Sequence, residues 1–167
     1  MSEPSHRPDG VISEIRRRVG PGKRIVFVSG NFNTVHPGHL RLLRFAAECG
    51  DFLVVGVNSN ETPGVLVPDE LRLDGVQSVS FVDYAFVVSF PVDSFIRELA
   101  PSVVCKGKEH EARFNPEREA VNSYGGKLLF SSGEMRFSSV DLLTREMVES
   151  HLPSIARATG FSEAHGF

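Results

Sequence analysis

Cysteine is scarce in this 167-residue sequence, with only Cys49 and Cys105. Two cysteines cannot build a disulfide framework, and neither belongs to a C-x-x-C pair. Structural zinc, iron–sulfur and dithiol redox readings therefore have no support, and the chain reads as one from a reducing compartment. An excess of basic residues is also missing. Eighteen Lys and Arg against 21 Asp and Glu give a net charge of −3 and a pI near 6.1. That excludes the broad positive surface by which long nucleic acid or an anionic membrane is held, so any phosphate recognition must be local. No apolar run approaches the roughly 20 residues of a membrane span, and the polar start lacks the apolar centre of a signal peptide. The expectation is a cytoplasmic protein with no membrane and no nucleic-acid partner. Internal repeats and low-complexity stretches are absent as well, which excludes solenoids and arrays.

What is present is ordinary globular composition, 41% hydrophobic and 23% charged, enough for one domain with a full core. Apolar runs of strand length occur at 24–29, 52–57, 84–88, 102–105 and 127–131. Helix-like stretches alternate with them at 37–49, 68–80, 92–99, 116–123 and 139–150. Pro37 suits a first helical turn, Gly50 the stop of the same helix, and Gly125-Gly126 the close of the fourth. Strands apolar on both faces and separated by helices predict an α/β fold, a doubly wound parallel sheet with ligands at the carboxyl ends of its strands. The domain is expected over 24–150. Residues 1–23 precede it as an extension with a short amphipathic helix, and 151–167 follow as a tail or linker.

Residues 30–39 read Gly-Asn-Phe-Asn-Thr-Val-His-Pro-Gly-His, between the apolar run Ile25–Val28 and Leu40-Arg41-Leu42-Leu43. Two histidines thus stand where the first strand hands over to a helix. Unpaired backbone N–H groups at a helix start carry partial positive charge, and imidazoles added there can follow the charge on a reacting phosphoryl group.

The pattern Gly30, Phe32, His36, Gly38, His39 resembles the H-x-G-H nucleotidyltransferase superfamily, which includes glycerol-3-phosphate cytidylyltransferase and the adenylyltransferase domain of ADP-heptose synthase. Further matches follow in order: Val57-Asn58-Ser59-Asn60, Glu70-Leu71-Arg72, Val82–Val87, Pro101–Gly107, and Arg136-Phe137-Ser138-Ser139 before the last helix. The lysine-glycine step at Lys106-Gly107 is similar to the heptose branch.

The resemblance implies a five-stranded Rossmann-like sheet of order 3-2-1-4-5, and transfer of a nucleoside monophosphate from ATP or CTP to a phosphorylated sugar or polyol. Diphosphate is released. His36, His39 and Lys106 would be catalytic. Gly30, Asn31, Phe32, Asn33, Gly38, Arg136, Ser138 and Ser139 would bind the nucleotide. Mg²⁺ would bridge phosphate oxygens with few protein ligands, and the chain would pair as a homodimer.

The sequence departs from the family at three points. Asn33 and Asn60 stand where Asp is usual, and the loop 61–69 has no lysine. Each Asn keeps a carbonyl but loses a charge. Arg41, Arg44, Arg72, Lys108 and Arg113 are the cations near enough in sequence to offset this. Two other readings therefore stand beside the first: a nucleotide-binding regulatory module without turnover, and an adenylyltransferase for another phosphorylated acceptor. His110 reads as a loop residue or an acceptor contact, Asp83 as a ligand or a turn cap, and both cysteines as core.

Overall fold

The computed structural model describes residues 8–131. Five parallel strands, β1 (Ile25–Gly30), β2 (Phe52–Asn58), β3 (Tyr84–Val88), β4 (Val103–Lys106) and β5 (Lys127–Phe130), lie in the order β3-β2-β1-β4-β5. Among the described residues the helices are α1 (Asp9–Val19), α2 (Pro37–Glu48), α3 (Asp69–Gln77), α4 (Val92–Leu99) and α5 (Pro116–Asn122), with a 3₁₀ turn at Lys108–His110. The sheet is the doubly wound, Rossmann-like one implied by the resemblance.

Alternation along the strands builds a core on each face. Phe27, Val54, Phe86 and Val104 pack with Ile12, Ile15, Phe95, Ile96 and Ala120, which places α1, α4 and α5 on one side. Val26, Val28, Leu53, Val55 and Cys105 pack with Leu43, Ala46 and Val76, which places α2 and α3 on the other. Both sides are covered, hence the uninterrupted apolar runs of the strands.

Right-handed crossovers require the connecting helices to change face when the chain changes direction across the sheet. From β1 the chain steps through α2 and α3 to β2 and β3, then returns past β1 through α4 and α5 to β4 and β5. The reversal lies between β1 and β4, and pairing there is short. β1 is in register with β2 over six residues from Ile25↔Phe52 to Gly30↔Val57, but with β4 only at Val26↔Val103 and Phe27↔Val104. The ends of β1 and β4 are thus unpaired with each other, which opens the crevice that such reversals offer to ligands.

Boundaries differ from expectation where a polar side chain competes for the backbone. The helix expected over 68–80 ends at Gln77, where the Ser78 hydroxyl donates to the Asp74 carbonyl at 2.7 Å. The first strand begins at Ile25 and not at 24, because the Arg24 amide donates to the Asp51 carboxylate at 2.8 Å. The expected strands 102–105 and 127–131 run from Val103 to Lys106 and from Lys127 to Phe130. The helix expected over 139–150 and the tail 151–167 lie outside the described residues.

Candidate active site

His36 and His39 sit at the reversal, on the first turn of α2. His36 is the N-cap residue: its Nδ1 accepts from the amides of Gly38 (3.1 Å) and His39 (3.3 Å). An imidazole thereby does the work usually done by Ser, Asp or Asn. His39 makes the opposite use of the same atom, since its Nδ1 lies 2.8 Å from the Thr34 carbonyl, an acceptor only, and must donate. The two tautomers are therefore different. His36 keeps its ring proton on Nε2, whereas Nε2 of neutral His39 is a lone pair.

The rings stack with centroids 3.8 Å apart and 22° between their planes. Burial holds the pKa of His36 below its ordinary value, against the pull of the Glu109 carboxylate. His39 is lowered further, to about 4, by burial first and then by repulsion from His36, with the Thr34 carbonyl and Glu109 acting against them. Both rings are neutral at pH 7.

Phe32 supports this pair. Its ring is buried, 5.0 Å from the His39 ring and tilted by 55°, and lies over Gly30, where a Cβ would meet it at 3.1 Å. Its φ of +49° is in the left-handed region, a strained setting for a residue with a side chain. Gly30, Phe32, His36, Gly38 and His39 are thus brought together.

Asn31 and Asn33 hold the neighbouring loop. Asn31 donates through Nδ2 to the Pro63 carbonyl (3.2 Å) and accepts from Asn58 Nδ2 (2.8 Å). Asn33 donates to the Gly64 carbonyl (2.8 Å) and accepts from the Leu66 (2.7 Å) and Val67 (3.3 Å) amides. Asn60 Oδ1 accepts from the Asp69 amide at 2.8 Å and so caps α3 from a distance. The amides at 33 and 60 are engaged in building the loop, which is a physical account of why they need not be carboxylates.

Lys106 ends β4, across the reversal from β1. Its Nζ bonds Asn115 Oδ1 at 2.9 Å and Glu117 Oε1 at 3.1 Å, while Asn115 Nδ2 donates to the His110 and Arg113 carbonyls. Glu117 Oε2 is buried without a hydrogen-bond partner among the described residues. Asn115 and Glu117 were not singled out by sequence reasoning. Asn-Pro at a helix start was the available signal, but nothing in the spacing ties it to a lysine nine residues earlier.

Of the other cations, Arg72 is buried, Arg44 covers the Phe81 ring at 5.3 Å, and Arg41, Lys108 and Arg113 are exposed. His110 stands in the 3₁₀ turn, 3.6 Å from the Glu109 carboxylate, with its pKa lowered mainly by burial. Asp83 is a turn cap at the opposite edge of the sheet, where it accepts the Leu53 amide at 2.8 Å. Cys105 is core, its thiol pushed up by burial and then by contact with Cys49. Arg136, Ser138 and Ser139 lie outside the described residues.

The chain is similar to known proteins. The bifunctional protein HldE of Pelobacter propionicus is 36% identical over 117 residues, 64% of this chain and 24% of that protein. The bifunctional protein HldE of Geobacter metallireducens is 30% identical over 150 residues, 82% of this chain and 30% of that protein. The chain thus spans 24% and 30% of the length of these relatives. Among solved structures, the lipopolysaccharide core biosynthesis protein of Thermoplasma volcanium shares the fold with a TM-score of 0.55 at 22% identity, over 66% of this chain and 98% of that one. Residues 27–131 match the cytidylyltransferase-like family model over the sheet and the histidine turn just described, so the chain belongs to the cytidylyltransferase-like family.

Proposed function

We propose that this chain is a nucleotidyltransferase that moves a nucleoside monophosphate from ATP or CTP to a phosphorylated sugar or polyol, of the heptose-phosphate type by its likeness to the HldE proteins. A phosphate oxygen of the acceptor attacks the α-phosphorus, and the bond to the bridging oxygen breaks. Diphosphate leaves with the electron pair. Two polyanions must meet in line, so the protein's task is positioning and charge neutralisation, without a covalent intermediate.

The carrying observation is the stacked His36/His39 pair on the first turn of α2, where the helix dipole already favours anions. His36 can donate from Nε2 as it stands. His39 would take up a proton to do the same as the triphosphate arrives. Lys106, across the reversal, would face the acceptor phosphate once drawn from Glu117. Asn31, Asn33 and the Phe32 backbone would shape the loop beside the nucleotide. Among the described residues no group of three or more His, Cys, Asp or Glu stands ready to hold a metal. In this reading Mg²⁺ would come with the phosphates and lower their charge, and no step above depends on a protein-held ion. Homodimer pairing belongs to the same reading, with the exposed Leu66 and Leu71 as apolar side chains it would cover.

The test is diphosphate release across ATP and CTP with a panel of sugar and polyol phosphates, using wild type and His36→Asn. Asn preserves the helix cap but supplies no imidazole. A loss on the order of a hundredfold is expected, as for removal of a transition-state donor. Folded wild type that releases no diphosphate with any pair rejects the transferase reading, and nucleotide binding without release assigns the chain to regulation.

A further inference from the structure

Arg72 is the bulkiest fully buried side chain among the described residues, 1% exposed. A guanidinium stays charged on burial, where an ammonium readily gives up its proton. Its hydrogen bonds all end on neutral oxygens: Nε on the Val67 carbonyl (2.6 Å), Nη1 on the carbonyls of Asn31 and Asn58 (2.7 Å each), and Nη2 on Asn60 Oδ1 (3.1 Å). Among the described residues no carboxylate forms an ion pair with it. The acids of its own helix, Asp69, Glu70 and Asp74, make no bond to it and lie half-buried or exposed. A full positive charge is thus held out of water, hydrogen-bonded at each nitrogen and uncancelled in charge. It is bonded to Asn31, the residue before Phe32 in the turn that leads to the histidines.

Desolvating a charge without a counter-ion is unfavourable, and an approaching anion relieves part of that penalty over a distance that surrounding protein screens poorly. We propose that Arg72 is a buried positioning residue for the polyphosphate: it raises the anion affinity of the histidine turn without touching the ligand, and the neutral side chain at Asn60 is what leaves its charge available. This rests on the nucleotide reading above.

Asn60→Asp isolates the charge. Both hydrogen bonds to Asn60 end on Oδ1, from the Asp69 amide and from Arg72 Nη2, and an aspartate oxygen accepts both. The shape is kept and Arg72 is neutralised. ATP, CTP and the uncharged nucleosides adenosine and cytidine are titrated calorimetrically into wild type, Asn60→Asp and Asn60→Ser, at low salt and at about 0.5 M. Asn60→Asp is expected to bind triphosphate about fivefold to tenfold more weakly, the upper figure being about 1.4 kcal/mol. Nucleoside affinity stays within about twofold, the melting temperature does not fall, and the triphosphate loss shrinks at high salt because the charge added at position 60 is exposed. Asn60→Ser, neutral, is expected to bind triphosphate more tightly than Asn60→Asp. Wild-type affinity in Asn60→Asp, or an equal loss in Asn60→Ser, overturns the proposal. Wild type that binds neither triphosphate overturns the nucleotide reading itself.

Discussion

At His39 one hydrogen bond decides which nitrogen a ligand meets. The Thr34 carbonyl fixes the proton on Nδ1, so Nε2 of the neutral ring is an acceptor and repels a phosphate oxygen. With the pKa held near 4, mainly by burial, triphosphate binding must pull it up and take in a proton. Affinity for ATP or CTP should therefore strengthen as pH falls from about 8 toward 6. Calorimetry in buffers of different ionisation enthalpy should report an uptake of up to one proton, and a pH-independent affinity would contradict this. Stability runs the other way. A histidine whose pKa is lower in the folded than in the unfolded chain stabilises fully above the unfolded value, near 6.5, and loses that contribution as pH falls toward 4. Melting temperatures across this window should fall less for His39→Gln than for wild type. At His36 the structural and chemical roles separate by substitution. His36→Ala removes the cap and should lower stability by about 1 kcal/mol, whereas His36→Asn should stay within about half of that by urea denaturation.

The elements around the site were legible where their signals are local. Pro37 opens α2 and Gly50 follows its end, as the sequence pattern says. The histidine turn needed only its strand before and its helix after. Arg72 was harder to place. Arg72 and Val76 share the inner face of α3 at helical spacing, but an arginine in a sequence reads as an exposed charge, and its spacing alone did not set it apart from Arg41, Arg44, Lys108 and Arg113. The partners of Lys106 were illegible because they join through a loop and a 3₁₀ turn without helical period. Asn33 and Asn60 looked alike in sequence and differ in structure. Asn33 uses both halves of its amide, so Asn33→Asp turns the donor facing the Gly64 carbonyl into a repelling oxygen. A loss of about 1 kcal/mol or more is expected by denaturant titration, while Asn60→Asp should be neutral or stabilising. Two identical exchanges should thus differ in sign, and equal destabilisation by both would reject the assignment of these bonds.

Across the whole molecule, the sheet divides two cores that stand in different relations to the site. Phe95 packs against Phe27, Phe86 and Phe90 on the face away from α2, with ring centroids 5.0, 5.1 and 5.4 Å apart. Leu43 is one turn beyond His39 on α2 and belongs to the same buried cluster as Phe32, whose ring braces His39. Either residue cut to alanine leaves a cavity in close packing, at about 3–5 kcal/mol for Phe95 and about 2–5 for Leu43. Their effect on the ligand should not be equal. Leu43→Ala lets the first turns of α2 settle and moves the imidazole pair, whereas Phe95→Ala disturbs α4 and the far side of β1. At a low temperature where both variants remain folded, Phe95→Ala should bind triphosphate as wild type does and Leu43→Ala should bind several-fold more weakly. Equal losses of affinity would mean that the site is held by the stability of the whole domain and not by the α2 face on which the histidines are built.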